Sequence, residues 1–140
     1  MKLNKIKTFR LKKIKNTNGD ILRLGKNKDP FFTNFGEIYF SWVKPNKIKA
    51  WKFHKKMKIN LAVPHGKVKF VFFSEKFKKF RTIIIGEKNY KLISVPPKIW
   101  FGFMGISKHK SLIINLASHT HSKKEILRKK IKDINFNWKN

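Results

Sequence analysis

The chain has no cysteine among its 140 residues. A disulfide framework, a thiolate zinc site and a cysteine nucleophile are therefore all excluded. It also lacks any long apolar run: Met1 to Lys15 alternates lysines with single apolar residues. No signal peptide and no membrane-spanning helix is expected from that pattern, and the expected compartment is the cytoplasm. No internal repeat and no linker composition appears, so one domain over residues 1–140 is expected. Acidic residues are scarce. Only 7 Asp and Glu stand against 35 Lys and Arg, for a formal charge of +28.

That imbalance has two readings. A polyanionic partner would be drawn to such a surface, whether nucleic acid, a phosphorylated ligand or an acidic membrane. Codon bias gives the same result, because Lys, Asn, Ile and Phe are abundant together, as an AT-rich genome favours. The lysines are spread along nearly the whole chain, which supports the second reading. Either way, the charge draws an anionic ligand toward a cleft at low salt. No recognised DNA- or RNA-binding motif is present, so nucleic acid is the least supported partner.

What the chain has in quantity is apolar and aromatic residues, 41% of the total with 14 Phe and 4 Trp, enough for a core. They fall in short runs separated by turn residues. Strands are expected at 21–24, 37–43, 49–54, 59–63, 67–73, 81–85, 90–95, 99–104 and 111–117. The Pro64-His-Gly66 turn suggests a hairpin between the fourth and fifth of these. Strands recurring every roughly 8–12 residues indicate an all-β sandwich or barrel. An antiparallel double-sheet jelly roll hides most strand edges and is the expected architecture. Ser122 followed by Glu125 matches a capping box, which predicts a short C-terminal helix over Lys123–Lys130. Asn135–Trp138 is apolar enough to dock against the body.

The most informative segment is Ile48-Lys-Ala-Trp-Lys-Phe-His-Lys-Lys-Met57. Side chains alternate along a strand, so Ala50, Lys52 and His54 are expected on one face and Trp51 and Phe53 on the other. An imidazole that titrates near neutrality beside an ammonium group makes a proton-handling pair. The alternatives stay open for each group. His54 can be a base or a strand-end histidine. Lys52 can hold an enolate oxygen or a phosphate, act as base, or be one more solvated lysine; Lys58 has the same ambiguity. Tyr39 faces inward if Ser41 and Val43 do, but Ile38, Phe40 and Trp42 are an equally good core face. Asn60 and Asn115 can point polar groups into a barrel or into water. Trp51 and Trp100 can stack on a base or sugar, or pack in the core. His119 and His121 lie in a polar stretch with no acidic residue before Glu125, so a loop and no metal site is expected.

Four segments together carry a family resemblance: Gly36-Glu-Ile-Tyr-Phe40, the Ile48–Met57 run, Val63-Pro-His-Gly-Lys-Val68, and Val95-Pro-Pro-Lys-Ile-Trp-Phe-Gly-Phe103. With Leu112-Ile-Ile-Asn-Leu-Ala117 after them, their order and spacing resemble the dTDP-4-dehydrorhamnose 3,5-epimerase-like cupins from about Asn18 to Trp138. The resemblance implies a cupin jelly roll, a nucleotide-sugar substrate and a homodimer, with residues 1–17 as an arm exchanged between protomers. It implies proton abstraction beside the C4 ketone of a 4-keto-6-deoxy sugar, with no cofactor. In that family a His held by an Asp is the base and a Tyr the acid.

This sequence departs from the pattern. The family's Gly-Leu-His-Tyr-Gln aligns with Ala50-Trp-Lys-Phe-His54, so Lys52 stands where the His is expected. His54 replaces the Gln, and it alone can match part of the His-Ala-His element of the related 3,4-ketoisomerases. Phe101 replaces a further His. Ile113, Ile114 and Asn115 occupy the strand where the Tyr is expected, and Asp133 is the only late aspartate. The expectation is an isomerase with Lys52 and His54 as reacting pair and Tyr39 as donor. Lys58, Asn60, Trp51, Trp100 and Asn115 would contact substrate. The alternative is a sugar-nucleotide binder without turnover.

Overall fold

The computed structural model describes residues 2–139. A one-turn 3-10 helix, Leu3–Lys5, precedes twelve strands: β1 Lys7–Arg10, β2 Lys13–Ile14, β3 Ile21–Leu22, β4 Glu37–Val43, β5 Ile48–His54, β6 Ile59–His65, β7 Lys67–Ser74, β8 Lys79–Gly86, β9 Lys91–Val95, β10 Trp100–Gly105, β11 Ser111–Ala117 and β12 Ile126–Arg128. A second 3-10 turn spans Ile131–Asp133. The strands form two five-stranded sheets, ordered β1-β9-β6-β11-β4 and β12-β5-β10-β7-β8, with β2 and β3 as a separate ribbon. All paired strands run antiparallel. From β4 to β7 the chain changes sheet at every step, and it does so again from β9 to β12. That alternation is the double-stranded β-helix of a jelly roll, as the strand spacing predicts.

Alternation along each strand sends one set of side chains between the sheets. Val43, Leu61, Val63, Phe70, Phe72, Ile93, Phe101, Phe103 and Ile113 meet there in one buried cluster. A second cluster sits on the outer face of the β5 sheet. Trp51, Val71, Trp100 and Met104 are covered there by Ile134, Phe136 and Trp138 from the C-terminal segment. The docking expected of 135–138 is thus observed, fixed further by Lys69 Nζ on the Trp138 carbonyl at 2.8 Å.

Three local expectations are corrected. No helix covers Lys123–Lys130. Residues 126–128 are instead strand β12, antiparallel to β5. Glu125 does not close a capping box; its Oε1 crosses to accept the Lys56 and Met57 amides, each at 2.6 Å. The bare edge of β5 offers long-range hydrogen bonds that a short helix could not match. Second, β6 and β7 are not a hairpin, since they belong to different sheets. The Pro64–Gly66 turn is a crossover, with Gly66 at φ 84° and pressed against Ser111, where a Cβ would clash. Third, Ala50 leaves the face of Lys52. The register of β5 against β10 slips at Trp51, so that Phe101 opposes Lys52 and Gly102 opposes Ala50.

Candidate active site

The bulge at Trp51 decides which residues of β5 point between the sheets. Lys49 and Lys52 lie opposite Phe103 and Phe101, both of the inner core. Ala50, Trp51 and Phe53 pack in the outer cluster. His54 turns back in and stacks on Phe101, with ring centroids 5.6 Å apart. β12 adds Arg128 directly opposite Lys52. The inner surface at this edge therefore carries Lys49, Lys52, His54 and Arg128.

The facing sheet contributes its own polar groups. On β4, Glu37, Tyr39, Ser41 and Val43 oppose Ala117, Asn115, Ile113 and Ser111 of β11. Val43, Ile113 and Ala117 are inner-core residues, so Tyr39 and Asn115 face inward too. The other face of β4, with Ile38, Phe40 and Trp42, is exposed at 45, 66 and 45%. Asn115 Nδ2 donates to the Tyr39 hydroxyl at 2.8 Å. Lys49 Nζ spans the gap to the Trp42 carbonyl at 2.7 Å and Ser41 Oγ at 3.3 Å. The segment joining β11 to β12 is clamped over this edge by two carboxylates. Glu37 accepts the His121 amide at 2.9 Å, and Glu125 holds the Lys56–Met57 turn.

The electrostatics follow from burial and from an excess of cations. His54 is only 5% exposed. Burial, followed by the charges of Lys52, His121 and Arg128, pushes its imidazole down to about 4, against the pull of Glu125. It is thus neutral at pH 7 with a free ring nitrogen. Burial, then Arg128 and Lys49, lowers Lys52 below the ordinary lysine value. Burial raises the Tyr39 phenol, against the lowering effects of the Asn115 hydrogen bond and of Arg128. The charge of Arg128 lowers all three, Tyr39, Lys52 and His54.

Among the described residues, no Asp or Glu forms an ion pair with Lys49, Lys52, His54 or Arg128, although Glu125 acts on His54 through space. Asp20 pairs with Lys15, Glu75 with Lys129 and Glu87 with His65. Asp29, Glu37, Glu125 and Asp133 accept backbone amides of Lys26, His121, Lys56 with Met57, and Lys130. Among the described residues, the side chains of Lys52, His54 and Arg128 make no hydrogen bond or ion pair.

The structure thus brings together His54, Lys52, Tyr39 and Asn115 from the expected set. It separates the others. Asn60 points to the outer face of its sheet, where its amide donates to the Phe31 carbonyl at 3.2 Å. Trp51 and Trp100 are packed in the outer core, Trp51 donating to the Ile131 carbonyl and Trp100 lying against Phe53. Lys58 is half-buried beside β6, and burial lowers its ammonium. Sequence reasoning missed Lys49, Arg128 and the two clamping carboxylates. No group of three His, Asp or Glu able to hold a metal occurs among the described residues. No helix among them is long and apolar enough to cross a membrane.

Three comparisons with known proteins bear on the family and the fold. The family model described as "FdtA: WxcM-like, C-terminal" matches residues 4–136. A dTDP sugar isomerase from Desulfovibrio desulfuricans G20 superposes with a TM-score of 0.90 at 30% identity, over 96% of this chain and 90% of that one. A variant of the 3,4-ketoisomerase QdtA from Thermoanaerobacterium thermosaccharolyticum, in complex with TDP-4-keto-6-deoxyglucose, gives a TM-score of 0.76 at 18% identity, over 92% of this chain and 90% of that one. At that identity the likeness shows the fold. A probable low-salt glycan biosynthesis epimerase of Haloferax volcanii is 28% identical over 89 residues, 59% of this chain. The match spans 57% of the length of that curated relative.

Proposed function

The chain belongs to the FdtA (WxcM-like, C-terminal) family of sugar-nucleotide epimerase- and isomerase-like cupins, and from that membership we propose that it isomerises a nucleotide-linked 4-keto-6-deoxy sugar. The observation that carries the reading is a neutral, buried imidazole beside cations that no carboxylate of the chain engages. A nucleotide diphosphate supplies the missing negative charge. Lys49 and Arg128 meet the diphosphate, and Lys52 sits nearest the ketone oxygen.

His54 takes the proton from the carbon next to the C4 carbonyl. The C–H electron pair moves into the new C=C bond, and the carbonyl pair moves to oxygen. The enolate oxygen is stabilised by Lys52. Tyr39, on the facing sheet, returns a proton to the opposite side of the carbon and becomes a phenolate, which solvent reprotonates. The centre is then inverted. Return of the proton at C4, with the neighbouring C3 hydroxyl losing its proton as the C4 oxygen gains one, moves the ketone to C3 and gives the isomer instead. One part of the site favours a second reading. Lys52 stands where the resembling epimerases have a histidine, and a chain that only binds sugar nucleotides needs no such base. Lys58 lies at the rim as a further candidate for the anionic ligand, and synthesis of such sugars places the protein in the cytoplasm.

The test is solvent-deuterium incorporation. In D2O, wild-type protein should label a TDP-4-keto-6-deoxy sugar beside its ketone, and the Lys52→Ala His54→Asn double variant should not. Binding that raises the melting temperature without any labelling supports the binder instead. The exposed Ile38, Phe40 and Trp42 face supports a homodimer, with this apolar sheet surface buried between copies. Phe40→Lys should convert the assembly to monomers by light scattering. A wild-type chain that is already monomeric at micromolar concentration would contradict this.

A further inference from the structure

We propose that Asn115 is a positioning residue for the proton-returning half of the reaction: its amide holds the Tyr39 oxygen and leaves the phenol proton free for the substrate. The inference rests on the isomerase reading and assigns a role within that site. Asn115 and Tyr39 are register partners on β11 and β4, with both side chains between the sheets. The amide nitrogen can only donate, so in the 2.8 Å contact the phenol oxygen must accept. The phenol proton then has no acceptor among the described residues, and with Tyr39 39% exposed it is free to turn toward a bound ligand.

A second observation sets Asn115 apart from a packing residue. It is 4% exposed, and its Oδ1 is buried without any hydrogen-bond partner. Such an orphaned acceptor costs about 1–3 kcal/mol, which a leucine of similar volume would avoid. Turning the amide over would be worse. Oδ1 would then take the phenol proton out of use, and two buried N–H donors would be left unpaired. The charged groups facing the phenol are Glu37 from its own strand and Arg128 from β12. Asn115 adds a neutral donor to that pair, which favours the phenolate formed once the proton has left.

Asn115→Leu and Asn115→Asp separate the two halves of the reaction. Leucine removes the donor. Aspartate accepts the phenol proton and holds it. On TDP-4-keto-6-deoxyglucose in D2O, both variants should lose product formation by about tenfold or more beyond any loss of solvent exchange, because the proton-abstracting His54 is untouched. In a Tyr39→Phe background, Asn115→Leu should cause no further loss. Parallel loss of exchange and product, or an additive loss in the Tyr39→Phe background, would overturn the assignment. A readout independent of turnover is the ultraviolet titration of the single tyrosine left in Tyr90→Phe protein. Asn115→Leu should raise the phenol midpoint by about one pH unit. If the wild type neither exchanges nor turns over, the isomerase reading fails and the catalytic role of Asn115 fails with it, whereas a raised midpoint would still show that its amide donates to the phenol. An unchanged midpoint rejects it.

Discussion

The two open edges of the sandwich use their cations in opposite ways. At the β1/β8 edge, Arg81 Nη1 donates to the carbonyls of Leu3 and Ile6 at 3.0 and 2.8 Å, and Ile6 closes the core beneath. That guanidinium is part of the scaffold, tying down the N-terminal turn by adding a second bond to the Leu3 carbonyl, which already accepts the Ile6 amide, and one to the Ile6 carbonyl. At the β4/β12 edge, Lys52 and Arg128 face inward with nothing to bond, next to a neutral histidine. Packing three basic groups together there costs desolvation and repulsion, as the depressed imidazole and ammonium show. An arrangement that weakens the fold locally is best explained by an anion that completes it.

The comparison can be broken by substitution. The largest effect is expected for His54→Asn, which should slow proton exchange beside the ketone by about a thousandfold, the scale of a lost general base. Exchange at the wild-type rate would move the base elsewhere.

The next effect is on acid stability. The folded pKa of His54 is about 4 against a reference of 6.5, so the unfolded chain holds more protons between those values. Stability is therefore fully present above pH 6.5 and falls as the pH drops through that window. The loss should approach about 3 kcal/mol below pH 4. His54→Asn should flatten the dependence in urea titrations at pH 7, 5.5 and 4.5. An unchanged slope would mean that His54 is not the group responsible.

A sharper contrast pairs the two arginines. Arg81→Ala should destabilise the fold by about 2 kcal/mol by removing both hydrogen bonds that tie the N-terminal turn to β8. Arg128→Ala should leave stability unchanged or raise it slightly, while weakening TDP binding about tenfold by calorimetry. Equal destabilisation by both variants would make Arg128 another scaffold cation.

Much of the fold could be read from the chain. Turn residues punctuate nearly every strand, and β4 and β11 carry their predicted bounds because Gly36, Pro45 and the Ser107–Lys110 stretch isolate them. The end of the chain was harder to read. Ser122 and Glu125 have the spacing of a helix cap, yet Glu125 has two amides of the β5–β6 turn within reach, and β5 has a free edge. Such long-range partners leave no local mark. The bulge at Trp51 is silent for a related reason. It follows from Gly102 lying against Ala50, 52 residues apart in sequence, where a Cβ would clash. Missing it concealed Lys49, and reading β12 as helix concealed Arg128. His54 and Lys52 were legible because they lie on the same side of the bulge. Tyr39 was ambiguous from sequence because both faces of β4 are apolar. Only the pairing of Val43 with Ser111 in the core decides which face turns inward.

The most direct measurement is the titration of the His54 imidazole by NMR, with and without TDP. The free protein should show a midpoint near 4, and the negative diphosphate seated among Lys49, Lys52 and Arg128 should raise it clearly. An ordinary midpoint near 6.5, or a low one that saturating TDP leaves in place, would contradict an anion-completed site at this edge.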